Sequence, residues 1–140
     1  MADYSGTPLP KKLGITIGAC VLLVGAPPEF SLGALPVGVT MSVKSGARAK
    51  NVDVAVVFVK ERRALAKAFT SATRSLVEAG GLWIAWPKKS SGVATDITED
   101  VLRELLLPTG YVDNKVCAID ETWSGLRFVL RKELRKTPRR

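Results

Sequence analysis

Apolar residues in this chain gather into unbroken runs and helical repeats rather than strict alternation, which sets the class of fold. The runs at 19–24 and 52–59 are almost continuously apolar, the pattern of parallel strands covered on both faces. The β-branched density of 52–59 makes it the central strand. A weaker strand is predicted at 39–43, followed by a turn at Lys44, Ser45 and Gly46. Leu65, Phe69, Ala72 and Leu76 repeat at i, i+4, i+7 and i+11, one face of a helix predicted over 61–79, with Lys67, Arg74 and Glu78 on its solvated side. Gly80 and Gly81 read as its C-terminal stop, because glycine tolerates the left-handed conformation there. A short buried strand at 82–86 ends at Pro87. Asp96 and Glu99 have capping-box spacing, with Thr98 as an alternative cap. They open a helix through Leu107 whose apolar face is Val101, Leu102, Leu105 and Leu106. Strands at 111–119 and 126–130, joined by a short polar connection, form an antiparallel hairpin. Residues 1–12, broken by Gly6, Pro8 and Pro10, read as an extended arm.

Strands separated by helices predict an α/β, three-layer Rossmann-like domain. Its sheet is expected to hold about six strands, mostly parallel and right-handed in connection, with an antiparallel edge. The 140 residues suffice for one such domain with its own core, and 132–140 read as a basic, flexible tail.

The net charge of +8 is concentrated at one end, since residues 131–140 carry six cations against Glu133 alone. A basic tail gives solubility and salt-sensitive attraction to polyanions. No interleaving of aromatic and basic residues accompanies it to stack bases, so specific nucleic-acid recognition is not expected. The chain has no histidine, which excludes Ser-His-Asp and Cys-His catalysis and removes the commonest transition-metal ligand. Cys20 and Cys117 sit inside apolar runs and form no C-x-x-C pair, so they read as reduced, buried thiols outside any metal or redox motif. Lys11 and Lys12 ahead of an apolar run containing Ala19 and Cys20 imitate a lipoprotein signal. Most of that run follows the cysteine instead of preceding it, and it is too short to span a membrane. A cytoplasmic protein with no membrane segment is expected.

In a parallel sheet the carboxyl ends of the strands share one edge, and ligands bind in the crevice outside it. Four segments leave strands at that edge: 25–30, 60–61, 86–96 and 120–125. The third is the most informative. It passes from Trp86 and Pro87 through Lys88, Lys89, Ser90, Ser91 and Gly92 to Thr95 and Asp96. Lys88 and Lys89 can neutralise a phosphate or carboxylate while N–H groups near 92–96 take its oxygens. Ser90, Ser91, Gly92, Thr95 and Asp96 complete this candidate ligand-binding segment, with Asp120, Glu121 and Trp123 of the hairpin turn beside it. Plainer structural roles stand next to each: a solvated loop, a helix cap at Asp96, a polar turn reversed at Gly125, and core packing for Trp86 and Trp123. Asp120 and Glu121 also suit a paired-carboxylate acid–base site. Ser90 and Ser91 would need Lys88 or Lys89, buried, as a base.

The order of elements resembles the class I methyltransferase-like Rossmann fold over most of 13–131, which implies an antiparallel C-terminal strand and the strand order 2-1-3-4-6-5. That resemblance implies S-adenosylmethionine held by a glycine-rich loop after the first strand and an acidic residue ending the second. Here the first loop carries Gly25, Ala26, Pro27, Pro28, Glu29 and Phe30, and proline donates no N–H. The second strand ends near Val43 and Lys44 with no acidic residue. No cofactor is therefore assigned. Residues 4–9, 11–15, 52–54, 86–96 and 116–125 resemble the bacterial domain-of-unknown-function family 3052, a resemblance that implies membership and no particular activity.

The expected function is a catalytically degenerate binding module that takes a small anionic ligand or an acidic protein at the carboxyl edge. One alternative is a small methyltransferase-like transferase with an atypical cofactor site, using Asp96, Asp120 or Glu121 as acid or base. Another is an interaction subunit that docks through its basic C-terminal tail. The thinly covered early edge, around 29–50, raises self-association into a homo-oligomer.

Overall fold

The apolar runs become β1 (Cys20–Val24), β2 (Thr40–Ser42), β3 (Val52–Phe58), β4 (Leu76–Pro87), β5 (Tyr111–Ala118) and β6 (Trp123–Leu130) in a computed structural model that describes residues 7–43 and 50–136. Three α-helices accompany them among the described residues: α1 (Leu9–Lys12), α2 (Arg62–Ser75) and α3 (Glu99–Leu106). The strands lie side by side in the order β2-β1-β3-β4-β6-β5, as expected. From β2 to β4 the neighbours are parallel, and β6 is antiparallel to both β4 and β5. Phe58 pairs with Ala85 and Pro87 with Trp123, so the ends of β3 and β4 meet the start of β6 on one rim.

Both faces of the central strands β1, β3 and β4 are largely buried, which is why they read as continuous apolar runs. On one face Leu65 and Phe69 of α2 and Leu102 and Leu106 of α3 pack on Val57, Leu82, Ile84 and Phe128. The opposite layer is thinner. There Leu13, Ile15 and Leu32, with Leu9 of α1, cover Val21, Val54, Val56 and Trp83. Trp83 is fully buried, and its Nε1–H donates to the Leu13 carbonyl at 3.0 Å, tying the thin layer to the sheet.

Several expectations are corrected. The predicted helix over 61–79 stops at Ser75, and the predicted strand over 82–86 begins at Leu76. The Thr73 hydroxyl donates to the Thr70 carbonyl at 3.1 Å, a local bond that competes with helical pairing, and Leu76 is already extended at φ −80° and ψ 135°. Leu76 then pairs with Val52, and the next partners are Gly81 and Val54, so the ladder shifts across a bulge. Gly80 and Gly81 lie inside this strand and cap nothing. A Cβ on Gly80 would sit 3.0 Å from the Asp53 carbonyl oxygen, and one on Gly81 would sit 2.6 Å from the Arg127 guanidinium. Close approach of the Asp53 carbonyl, not left-handed backbone, is what favours glycine at Gly80, while the bare backbone of Gly81 leaves room for the Arg127 side chain. Glu78 consequently lies on β4, where its carboxylate accepts the Lys136 N–H at 2.9 Å.

The arm expected over 1–12 includes α1, whose first turn carries Pro10 at a position that needs no N–H partner. The tail expected over 132–140 is anchored as far as Lys136: a 3-10 turn spans Lys132–Leu134, and the Arg135 guanidinium donates twice to the Leu130 carbonyl, at 3.1 and 2.9 Å. The turn at Lys44, Ser45 and Gly46 lies outside the described residues, as do 1–6 and 137–140. Cys20 and Cys117 are free thiols, half-buried instead of enclosed. Burial pushes the Cys117 thiol above its ordinary value, against the opposing pull of Lys12 and Lys115. Among the described residues no helix is long and apolar enough to cross a membrane. The early edge exposes Ile17, Val37, Met41 and Val43.

Candidate functional site

Parallel strands β3 and β4 deliver Lys60 and Lys88 to the same rim. The Val59 N–H donates to the Ala85 carbonyl at 2.9 Å, carrying the ladder past β3, so Lys60 emerges beside the start of the 88–96 segment. That segment is tied at both ends. At the first, the Lys88 N–H donates to the Thr122 carbonyl of the hairpin turn at 2.8 Å. At the second, the Thr95 hydroxyl and the Asp96 N–H both donate to the Lys60 carbonyl, at 2.7 and 3.3 Å. Between them Lys89–Ser91 form a 3-10 turn closed by Gly92 at φ +78°, a conformation that favours glycine. The Ser91 hydroxyl donates to the Lys88 carbonyl at 2.6 Å and accepts the Val93 N–H at 3.1 Å. Lys89 and Ser90 are exposed at the tip.

The backbone N–H groups expected to face an anion are largely engaged within the protein. Ser91 and Gly92 donate to Lys88 and Lys89 carbonyls, Val93 to the Ser91 hydroxyl, Asp96 to Lys60 and Ile97 to the Thr95 hydroxyl. The lysine side chains, not a nest of amides, present the positive charge of this segment.

Asp96 does not cap its own helix. Thr98 does, accepting the Val101 N–H at 3.2 Å. Asp96 Oδ1 instead accepts the Arg62 N–H at 2.7 Å, at the start of α2, where Glu61 provides no side-chain cap and pairs with Arg63 at 3.1 Å. A carboxylate there meets the positive end of the helix dipole. Asp96→Ala is expected to lower stability by about 0.5–2 kcal/mol and Asp96→Asn by much less, since asparagine still caps. Urea denaturation of the two variants checks this.

At the hairpin turn Asp120 Oδ1 accepts the N–H groups of Thr122 and Trp123, both at 2.8 Å, the bonding of an Asx turn. Glu121 is exposed. Trp123 is buried edge-on against Phe58 (ring centroids 5.0 Å apart), and Phe58 meets Phe30 at 4.9 Å. Beside this stack is a cavity of about 260 Å³ lined by Pro27, Glu29, Phe30 and residues 120–123. Neither Lys88 nor Lys89 lines it. The dilysine segment and the hairpin are thus neighbours on the rim, joined through Thr122, without sharing this cavity. Asp96 borders a different groove of about 660 Å³, between α2 and α3, with Leu65, Phe69, Leu105 and Leu106 among its lining.

Lys60 was not singled out by the sequence, although the β3–α2 connection lies at the same carboxyl edge. The same holds for Glu29 and Phe30 of the first loop. Among the described residues no cluster of Cys, Asp and Glu is placed to hold a metal ion.

No family model matches the chain and no curated protein matches it, so the resemblance to domain-of-unknown-function family 3052 gains no support there. Solved structures do match. A SAM-dependent methyltransferase from Aquifex aeolicus is 12% identical with a TM-score of 0.60, over 84% of this chain and 85% of that one. The LepI complex with SAM is 11% identical with a TM-score of 0.56, over 89% of this chain but only 47% of that one. The fibrillarin/Nop5p complex is 12% identical with a TM-score of 0.51, over 81% and 73%. The fold is methyltransferase-like. At such identities the likeness carries the fold alone, and the cofactor must be judged on the residues present. Gly25, at φ +73°, approaches β3 so closely that a Cβ would lie 3.0 Å from the Phe58 carbonyl oxygen. The Phe30 N–H turns back to the Pro27 carbonyl at 3.0 Å, and Pro27 and Pro28 donate nothing. This first loop does not fit S-adenosylmethionine, because Pro27 and Pro28 have no N–H to offer and the Phe30 N–H is already engaged.

Proposed function

We propose that the protein is a binding module of methyltransferase-like fold, without catalysis of its own, that takes a small anionic ligand or an acidic protein surface at its carboxyl edge through Lys88 and Lys89, with Lys60 beside them. The double anchoring of 88–96, to Thr122 at one end and Lys60 at the other, carries this reading. It orders the loop before binding, so less conformational entropy is lost when a ligand arrives. Acid–base chemistry has little to draw on at this rim. Asp96 and Asp120 are occupied by backbone N–H groups, Glu121 is left as an exposed carboxylate on the turn, and the chain holds no histidine to activate Ser90.

Titration of ADP, or of a short acidic peptide, into ¹⁵N-labelled protein is the test. Amide shifts are expected at 88–92 and 120–123. Replacing both lysines (Lys88→Ala with Lys89→Ala) is expected to weaken binding about tenfold, the equivalent of ~1.4 kcal/mol. Shifts elsewhere only, or an unchanged affinity in the double variant, would remove the proposal. A methyltransferase-like enzyme with an atypical cofactor site is the second reading, favoured by overlap with a methyltransferase over 84% of this chain and 85% of that one. S-adenosylmethionine raising the melting temperature in the same protein would favour it.

A further inference from the structure

A second cationic cluster lies away from the carboxyl edge, where α1 meets the β5–β6 hairpin. A cavity of about 210 Å³ there is lined by Lys12, Leu13, Gly14, Asn114, Lys115 and Arg127. Every ionisable group in that lining is a cation. The ladder explains how two of them come together. Asp113 pairs with Phe128 and Lys115 with Arg127, so Asn114 is an extra residue in a bulge. The bulge sets Lys115 directly opposite Arg127, and like charges directly opposite on a sheet are destabilising. Bulges are over-represented at sheet edges and next to active sites, where they re-aim side chains.

Arg127 is held firmly in this position. Its guanidinium lies over the bare backbone of Gly81, where a Cβ would come within 2.6 Å of Nε and Nη2, and Nη1 donates to Asn114 Oδ1 at 3.3 Å. Lys115 Nζ donates to the Lys12 carbonyl at 3.2 Å, and Lys12 Nζ to the Ala118 carbonyl at 3.0 Å, which pins α1 to β5. Among the described residues no carboxylate pairs with Lys115 or Arg127. Burial, and then the nearby Arg135, both disfavour the charged form of Arg127. The fold therefore sets Lys115 and Arg127 side by side with no carboxylate paired to either among the described residues.

We propose that this cavity binds a compact oxyanion, a phosphate or a phosphate monoester, between Arg127 and Lys115. A guanidinium can grip two oxygens of a phosphate at once, and an ammonium keeps further donors beyond the one bonded to Lys12. The volume, about 210 Å³, is below the ~300 Å³ at which pockets begin to enclose larger organic ligands. The site is independent of the lysines at the rim.

Inorganic phosphate titrated into ¹⁵N-labelled protein is expected to give saturable shifts at Gly14, Asn114, Lys115 and Arg127, in the wild type and equally in the Lys88→Ala, Lys89→Ala protein. That equality separates this site from the one at the carboxyl edge. Arg127→Gln and Lys115→Gln are each expected to weaken binding about tenfold or more. Lys115 is exposed, so Lys115→Gln keeps the test decisive if Arg127→Gln fails to fold. No saturable shift at these amides with millimolar phosphate, or an undiminished affinity in Lys115→Gln, overturns the proposal. Glycerol phosphate binding without binding to phosphatidic-acid vesicles supports it with a soluble ligand, and vesicle binding lost in both variants supports it with a lipid headgroup.

Discussion

Trp83→Ala is expected to cost about 3–5 kcal/mol, the range for truncating a large aromatic core residue. Trp83 is fully buried at the centre of the sheet's thinner layer, against a neighbourhood of Leu13, Val56 and Ile119. The layer above it is a four-residue helix and connecting segments, which have little freedom to collapse into the void. The substitution also strands the Leu13 carbonyl, fully buried and bonded to the indole N–H. Against a total stability of ~5–15 kcal/mol, the loss corresponds to a melting temperature lower by roughly 10–20 °C for a domain of this size. Trp83→Phe separates the two contributions. It keeps most of the volume and loses the hydrogen bond, so about 1–3 kcal/mol is expected from the unpaired carbonyl. Calorimetry on the three proteins reads both numbers. A loss below ~1 kcal/mol in Trp83→Ala would contradict the packing described for this face.

The centre of the sheet was legible because β1 and β3 are largely buried on both faces. Continuous runs such as 52–59 read as interior strands, and the helical repeat at 61–79 implied a parallel crossover to 82–86, while the full strand order came with the resemblance to the methyltransferase-like fold. Gly80 and Gly81 were misread because two different demands call for the same residue. A helix stop needs glycine for a left-handed backbone, whereas Gly80 lies against the Asp53 carbonyl and Gly81 leaves the Arg127 guanidinium room on the strand. Arg127 is 46 residues away in sequence and carries no mark of that contact. Asp96 was misplaced for a related reason. Its spacing to Glu99 described a cap on the following helix, but its partner is the Arg62 N–H of the preceding one, a contact only the folded rim creates. The 88–96 segment was recognisable as a loop at the carboxyl edge from Pro87, the lysines and Gly92. Its anchoring to Lys60 and Thr122 was not, since carbonyl acceptors have no sequence signature. The bulge at Asn114, which builds the second cationic cluster, is equally silent in the sequence.

Phe58→Ala is expected to be the next most damaging substitution, at about 3 kcal/mol, the low end for phenylalanine truncation. Phe58 ends β3 and is 7% exposed, close enough to the rim for water to fill part of the void. Its ring touches Phe30 from the first loop and Trp123 from the hairpin, at 4.9 and 5.0 Å, so it joins two segments that share no other ring contact. Losing it should loosen the first loop selectively. Hydrogen exchange is expected to quicken at the Phe30 N–H, which is held only by the Pro27 carbonyl. The Lys88 and Asp96 N–H groups, bonded to Thr122 and Lys60, should exchange more slowly than Phe30 and nearer to their rates in the unaltered protein. Local opening of this sort follows the contacts that are removed and leaves separately anchored segments closed. If exchange at 88 and 96 rises as steeply as at 30, the dilysine segment depends on the aromatic stack. The lysines would then lack the independent, ordered platform on which anion capture at the carboxyl edge rests.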